Sequence, residues 1–540
     1  MHPKYITEGL IMAFYQRQPD IIIRNGTIVD GTGKLPYFAD IAIIGDKIDY
    51  IGNLKGVCAP LEIDAHHKYV TPGFIDSHTH SDKTIFKHPH CQNALYQGTT
   101  TQIVANCGRT NMGIAEPEDG IWPKGSMGST LDRVEQMGTS MNTAWLCGHN
   151  TLRQMANCYT TDYTEEQFQI MADFLREAME AGFIGLSTGL EFVPGVVCRP
   201  EEVERLAMVA AEYDANYSSH MRDEGYYVLE AINEFLNVVR KTGMRGTVSH
   251  LNIKYDNGVP DDYLFKGMQM LKDAREIEHL NVYADMLPNC HAPGNAMAML
   301  PAWLRADGWD RAREILADPV GREKVRNDLD RYWRFLAYGQ WDRLLYITCT
   351  HMPEVSRTPF KELCEKWNKA PVDVFLDVMM AAPDLDTANT VALQGVVFHE
   401  QILIDSVVSD PIYMWQTDTN LYDDTPNNGG RLLDFMSMTQ FFARYVRDLG
   451  VISIQDAVKK VGMVPAQHFM LEGRGVLQPG NYADINVFNI HDLKINATFS
   501  DPCKYSEGMD YVLVNGVPVI EKGVYTGARA GRVLRHLPKK

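Results

Sequence analysis

Two imidazoles spaced i and i+2, His78 and His80, close the segment Val70-Thr71-Pro72-Gly73-Phe74-Ile75-Asp76-Ser77-His78-Thr79-His80, whose apolar run reads as a buried strand. Side chains alternate faces along a strand, so both rings point the same way. Two neutral imidazoles aimed at one point supply half of a metal site. Taken alone, the pair could equally be satisfied histidines at a strand end. Three more groups stand at the ends of similar runs: Cys107 after Thr100-Thr101-Gln102-Ile103-Val104-Ala105-Asn106, His220 after Asn216-Tyr217-Ser218-Ser219, and His250 after Gly246-Thr247-Val248-Ser249. The 27 residues from His80 to Cys107 and the 30 from His220 to His250 each fit one strand plus one helix. All five groups then sit at the same end of neighbouring or nearby strands and converge. A thiolate suits Zn²⁺ by charge and softness and can bridge two close cations, whereas a lone buried cysteine is simply a small apolar side chain. Asp418 follows the β-like Tyr413-Met414-Trp415-Gln416-Thr417, where a last strand of the same sheet should lie. A carboxylate there can take a proton from an activated water and pass it to a leaving nitrogen. With Asp423 and Asp424 just beyond, it could also be a turn or N-cap residue.

The elements that must hold these groups change character along the chain. From Ile21 to Gly52, short β-type runs (Ile21-Ile22-Ile23, Asp40-Ile41-Ala42-Ile43-Ile44, Ile48-Asp49-Tyr50-Ile51) alternate with turn signals at Asn25-Gly26, Asp30-Gly31 and Gly45-Asp46. The same pattern returns in Gly480 to Phe488 and Tyr511 to Val517, so both chain ends are expected to build one small β domain. The middle has helical period. Thr164 and Gln167 form a capping box ahead of Phe168, Met171, Ala172, Leu175 and Ala178, and Gly182 is the stop. The strand-like Phe183 to Thr188 follows, then a helix opened by Pro200, then the strand-like Asn216 to His220. Strand, helix, strand on a beat near 30 residues describes a parallel sheet with covering helices, and closure gives an α/β fold of the (β/α)8 TIM type. The expected layout is residues 1–68 and 471–540 as the two parts of a small β-sandwich domain, and 69–470 as the barrel, with an insertion around 290–400 where the sequence is irregular and Trp-rich.

Composition sets outer limits. A chain of 540 residues with 45% hydrophobic content can bury one large domain and a smaller one. A net charge of −18 disfavours nucleic acid as a partner, and no apolar run approaches the roughly 20 residues a membrane helix requires. Ten cysteines without a Cys-x-x-Cys pair, and a start (Met1 to Asp20) with no basic stretch before an apolar core, are expected of a reduced cytoplasmic protein acting on a small molecule. Self-association into a homo-oligomer stays open.

Several motifs in order carry a family resemblance: Gly73-Phe74-Ile75-Asp76-Ser77-His78-Thr79-His80, Gly98-Thr99-Thr100-Thr101 with Asn106-Cys107-Gly108, Gly148-His149 to Leu152-Arg153, Gly185-Leu186-Ser187-Thr188-Gly189-Leu190, Ser219-His220-Met221-Arg222-Asp223-Glu224, Ser249-His250, and the closing Gly473 to Val487. Across nearly the whole chain after Pro19 the sequence resembles the amidohydrolase superfamily, in its D-aminoacylase (N-acyl-D-amino-acid deacylase) branch. The resemblance implies a (β/α)8 barrel with a small β domain. It implies zinc held by Cys107, His220 and His250, with a second, often weaker site at His78 and His80 that shares the cysteine, hence one or two divalent ions. It also implies a catalytic role for Asp418, and His149 is then a candidate to donate to a developing oxyanion or to line the pocket, a structural role being the alternative.

The departures bear on substrate. Relatives of this branch carry Ser-His-His-Lys where this chain has Ser249-His250-Leu251-Asn252, Tyr-Pro-Tyr where it has Met286-Leu287-Pro288-Asn289 after Asp285, and Gly-Leu-x-Tyr where it has Gly189-Leu190-Glu191-Phe192. Their His-Pro-Arg with a following Tyr-Gly-Thr is absent here, where the chain reads Asn427-Asn428-Gly429-Gly430-Arg431. The missing Lys, Tyr and Arg are the groups expected to hold an acyl amino acid's carboxylate, whose desolvation an apolar side chain does not offset. Arg222, Lys254 and Arg431 are the candidates to restore that anchor. The expected function is zinc-dependent hydrolysis of a non-peptide C–N bond in a linear amide such as an N-acyl-D-amino acid. A cyclic amide or imide hydrolase or deaminase, and a non-catalytic scaffold of the same shape, are the alternatives.

Overall fold

The computed structural model describes residues 17–118, 120–251, 259–260, 262–286, 291–305, 308–328, 339–396, 400–423, 430–498 and 501–537. Eight strands run in chain order around one all-parallel sheet: β1 (Phe74–Asp76), β2 (Thr99–Val104), β3 (Asn142–Gly148), β4 (Gly185–Gly189), β5 (Asn216–His220), β6 (Arg245–Val248), β7 (Val282–Met286) and β8 (Tyr413–Trp415). The ring closes just beyond β8 and β1, where Asp418 N–H donates to His78 O at 3.0 Å and His80 N–H to Thr419 O at 2.9 Å. Closure places His78, His80 and Asp418 on adjacent loops at the C-terminal face, where barrels of this type carry their chemistry.

Covering helices form for the reasons legible in sequence. Glu165–Ala181 starts at the Thr164–Gln167 capping box, buries Phe168, Met171, Ala172, Leu175 and Ala178, and ends at Gly182 in the left-handed region. Pro200–Ala211 begins on its proline, whose missing N–H costs nothing in a first turn. Burying such a stripe contributes about 25 cal/mol for each Å² of apolar surface removed from water.

Both chain ends meet in a second sheet of nine strands, joined where Tyr69–Pro72 pairs antiparallel with Ile485–Phe488. Its strands share an apolar cluster that includes Ile23, Ile41, Ile43, Val70, Ile485 and Leu513. The Gly45-Asp46 signal is a two-residue hairpin between Tyr37–Ile44 and Lys47–Gly52. The Asn25-Gly26 signal is not a turn. It lies inside the strand Ile21–Ile28 as a bulge, with a register shift between Ile23 and Gly26 and Asn25 at φ 53°. A bulge and a turn ask for the same left-handed residue, so the dipeptide cannot separate them. Between β7 and β8, the strands His291–Asn295, Leu344–Thr348 and Ala392–Val396 form a small antiparallel sheet beside a separate apolar cluster that includes Trp309, Trp341, Phe360 and Phe375. Among the described residues no helix is long and apolar enough to cross a membrane.

Candidate metal centre

The five strand-end ligand candidates and Asp418 meet at the C-terminal face of the barrel. Cys107 Sγ lies 3.4 Å from both His78 Nε2 and His250 Nε2, and His220 Nδ1 lies 3.0 Å from His250 Nε2. His80 Nε2 approaches Asp418 Oδ1 at 3.1 Å and His78 Nε2 stands 3.8 Å from the same oxygen. The donor atoms of His78, Cys107 and His250 lie within 4.8 Å of one another, and so do those of His78, His80 and Asp418, with His78 common to both groups. All but His80 are buried.

Each of three rings is held from behind by a carboxylate: His78 Nδ1 faces Asp285 Oδ2 at 3.3 Å, His220 Nε2 faces Glu191 Oε2 at 3.1 Å, and His250 Nδ1 faces Glu224 Oε1 at 2.5 Å. Asp285 also accepts the His250 backbone N–H. A carboxylate on the far nitrogen fixes the tautomer and aims the other lone pair inward, which is how metal-binding histidines are oriented. Lone pairs 3.0–3.4 Å apart around a sulfur repel unless protons or a cation lie among them. His80 Nδ1 is buried without a hydrogen-bond partner among the described residues. This donor set fits a thiophilic divalent ion such as zinc.

Electrostatics agree. Burial alone would raise the Cys107 thiol, but the positive field of His78, His250 and His80 holds it well below its ordinary range. Burial opposes charge on the rings too, yet Cys107 and Asp285 raise His78 to about 10, and Glu224 leads the groups that raise His220 to about 9. Asp418, despite its burial, is pushed below the usual carboxylate range by His80, Arg431 and His78.

Backbone geometry at these positions is unusual. Cys107, His250 and Asp418 have φ of 52°, 34° and 52°, in the left-handed region that costs a non-glycine residue on the order of 1–3 kcal/mol. The Cys107 loop fits only because glycines surround it: a Cβ on Gly189 would stand 2.2 Å from Cys107 O, and one on Gly148 2.5 Å from Gly108 O. Gly189→Ala is therefore expected to displace Cys107 and lower metal retention several-fold while the covering helices stay folded. Zinc content after gel filtration, with far-UV circular dichroism as the control, checks this; full retention would mean that the loop has slack.

The other candidates are placed elsewhere. His149 opens the helix His149–Met155 after β3, and its Nε2 pairs with Glu202 Oε1 at 2.7 Å. Arg153 Nη1 shares that carboxylate, and Cys198 completes a buried cluster apart from the six convergent groups. This pairing fits the structural alternative for His149, which its sequence position at a strand end could not reveal. Arg222 is held by Glu234 through Nε (2.9 Å) and Nη2 (2.8 Å). Arg431 pairs with Asp434 at 3.0 Å and donates to the Asp418 carbonyl, so it braces Asp418. Lys254 lies outside the described residues. Residue spacing alone did not point to Glu191, Glu224 and Asp285. A signal existed for two: Glu224 is four residues beyond His220, and Asp285 falls on the strand-end beat.

A closed barrel with five His and Cys donors and one carboxylate converging at its C-terminal face defines a metal-dependent hydrolase. The sequence matches the model of the Amidohydrolase family over residues 61–520, and the chain belongs to that family. It is 28% identical to the D-aminoacylase of Alcaligenes xylosoxydans xylosoxydans over 526 residues, which span 95% of this chain and 97% of that protein. The crystal structure of N-acyl-D-glutamate deacylase from Bordetella bronchiseptica, complexed with zinc and a phosphonate inhibitor that mimics the tetrahedral intermediate, superposes with a TM-score of 0.78 at 27% identity, covering 96% of this chain and 100% of that one. A D-aminoacylase structure concerned with a binuclear metal centre, with one-metal activation and second-metal attenuation, matches with a TM-score of 0.76 at 26% identity over 96% of this chain and 99% of that one.

Proposed function

We propose that this protein hydrolyses the amide bond of a linear N-acyl-D-amino acid with zinc as its metal. The observation that carries the reading is Cys107, whose sulfur stands 3.4 Å from ring nitrogens of both His78 and His250 at the centre of the convergent set. Cys107, His220 and His250 would hold one ion, and His78, His80 and Asp418, with the cysteine, would hold a second. When bound, the ion polarises the substrate carbonyl and makes water nucleophilic at neutral pH. The chain's own residues do the rest. Asp418, kept ionised by the neighbouring rings, takes the proton of the attacking water and returns it to the departing nitrogen. Asp285, Glu191 and Glu224 hold the rings in register, and the Arg431 contact with the Asp418 carbonyl fixes the left-handed turn that aims the carboxylate. The likeness in sequence and shape to deacylases of N-acyl-D-amino acids over the full length supports the substrate class. The nine described cysteines are all free thiols, which supports a reducing, cytoplasmic setting.

The test is amine release from matched N-acyl-D-amino acids, N-acyl-L-amino acids and cyclic amides by zinc-loaded protein. D-selective linear turnover is expected. Turnover confined to cyclic amides would overturn the substrate class while leaving the metal chemistry in place.

Loading should displace protons. With His78 near 10 and His220 near 9, both rings are protonated at pH 7 without metal and must be neutral with it. Because these folded values lie above the unfolded value of about 6.5, their stabilisation of the metal-free protein is complete below pH 6.5 and is lost as pH rises through 9 to 10. Zinc affinity has the opposite sign and rises with pH over the same window. Calorimetric zinc titrations in buffers of different ionisation enthalpy should show net proton release at pH 7; identical heats would contradict it.

A further inference from the structure

If the substrate is an acyl amino acid, its carboxylate must be bound, and two of the anchors expected from sequence are already engaged by Glu234 and Asp434. Two other cations stand on the loops that carry the donor groups. Lys83 closes the single turn Ser81–Lys83 directly after His80, and Arg109 is two residues beyond Cys107. Solvent reaches both side chains, and neither has an ion-pair partner among the described residues. The polar contact of Arg109 is with the carbonyl of Val193 at 3.0 Å, on the loop that also carries Glu191 against His220 and Phe192, whose ring centroid lies 4.4 Å from that of the same histidine. The two loops are fastened together by Asp82, which accepts the backbone N–H of Ala105 at 3.2 Å and of Asn111 at 2.8 Å. Lys83 sits in a protein-dense place: burial presses its amine below its ordinary value against the pull of Asp82, Asp418 and Cys107, with Arg431 adding repulsion. Lys83 thus stands exposed on the loop that carries His80, at the end of the barrel where the donor groups meet.

We propose that Lys83 and Arg109, on the loops after β1 and β2, form the subsite that binds the carboxylate of the substrate. The inference rests on the reading of this protein as an amidohydrolase and specifies that its substrates are anionic. A net charge of −18 repels anions, so local cations without ion-pair partners among the described residues are needed to draw a carboxylate in. Lysine and arginine so placed supply charge-assisted hydrogen bonds to its oxygens without first breaking an ion pair.

The experiment uses zinc-loaded full-length protein and two matched substrate pairs: an N-acetyl-D-amino acid with its methyl ester, and a carboxylated cyclic amide with its uncharged counterpart. For wild type, Lys83→Met, Lys83→Arg and Arg109→Met, kcat/KM is measured for each, and binding of the N-acetyl-D-amino acid is measured separately by calorimetry at two ionic strengths. The expected result is that wild type prefers the charged member of whichever pair it hydrolyses. Lys83→Met and Arg109→Met each lower that preference by about tenfold or more, mainly through KM, and Lys83→Arg largely keeps it. Calorimetric affinity should fall in parallel and weaken with salt. Preference for the uncharged member, or an unchanged charged-to-uncharged ratio and unchanged binding in both Met variants, would overturn the subsite. Turnover of the ring pair alone, with a Lys83-dependent preference for its carboxylated member, would instead overturn the linear substrate and leave the subsite standing.

Discussion

Asp418→Asn should lower kcat by about 10²–10⁴-fold, the range spanned by positioned general acid–base groups, with little change in KM. Asparagine keeps the shape and can still accept from His80, but it cannot take a proton from water and deliver it to nitrogen. Structure should survive, because the Asp418 N–H bond to His78 O and the Arg431 contact with its carbonyl are made by the main chain. The low position of the carboxyl group also predicts that loss of activity on acidification is not set by Asp418 itself, since His80, Arg431 and His78 keep it charged well below neutral pH. Steady-state kinetics from pH 5 to 9 check both statements. Near wild-type turnover in the asparagine variant would remove Asp418 from the proton path.

Cys107→Ala should have a comparable effect by another route. The sulfur lies 3.4 Å from ring nitrogens of both His78 and His250, and its negative charge offsets the imidazoles packed around it. Losing an outer carboxylate partner of a ligand typically costs about 10–100-fold in metal affinity, so losing the shared ligand should cost more than about a hundredfold. Activity should fall with metal content. Glu191→Gln, Glu224→Gln or Asp285→Asn should each cost less, because the ring nitrogen facing the ion remains. If Cys107→Ala bound zinc as tightly as wild type, the sulfur would be a spectator.

Much of this site was legible because a barrel repeats. A strand-end residue recurring every 27 to 30 positions needs no knowledge of the loops between, and His80, Cys107, His220 and His250 all fall on that beat. Asp418 was found by the same reasoning, across an insertion with an apolar cluster of its own. What the beat cannot show is direction away from the barrel axis. His149 stands at a strand end as the others do, yet turns outward to the buried Glu202 and Arg153. Arg222 follows His220 in the motif, but its partner Glu234 lies in the helix Val228–Thr242, and no spacing rule pairs a loop cation with the next helix. Glu191 stood where the family motif allows any residue, so only its contact with His220 identifies it. Lys83 and Arg109 escaped for a related reason: surface cations are common, and only their place beside His80 and Cys107 without an ion-pair partner among the described residues sets these two apart.

The left-handed backbone at Cys107, His250 and Asp418 was likewise invisible in sequence, where such positions are expected to be glycine or asparagine. Cysteine, histidine and aspartate occupy them because the side chain is required, and the neighbouring Gly108, Gly148 and Gly189 supply the room. Strain of this kind persists when the surrounding structure over-determines it and marks residues retained for chemistry.

The most direct measurement is restoration of amide hydrolysis by zinc in protein stripped with chelator, run in parallel on wild type and Cys107→Ala with an N-acyl-D-amino acid as substrate. The account predicts that stripped wild type is inactive, that one to two equivalents of zinc restore turnover in proportion to bound metal, and that Cys107→Ala recovers neither at the same zinc concentration. Full turnover in stripped wild type, or zinc binding without any amide hydrolysis across linear and cyclic substrates, would contradict it.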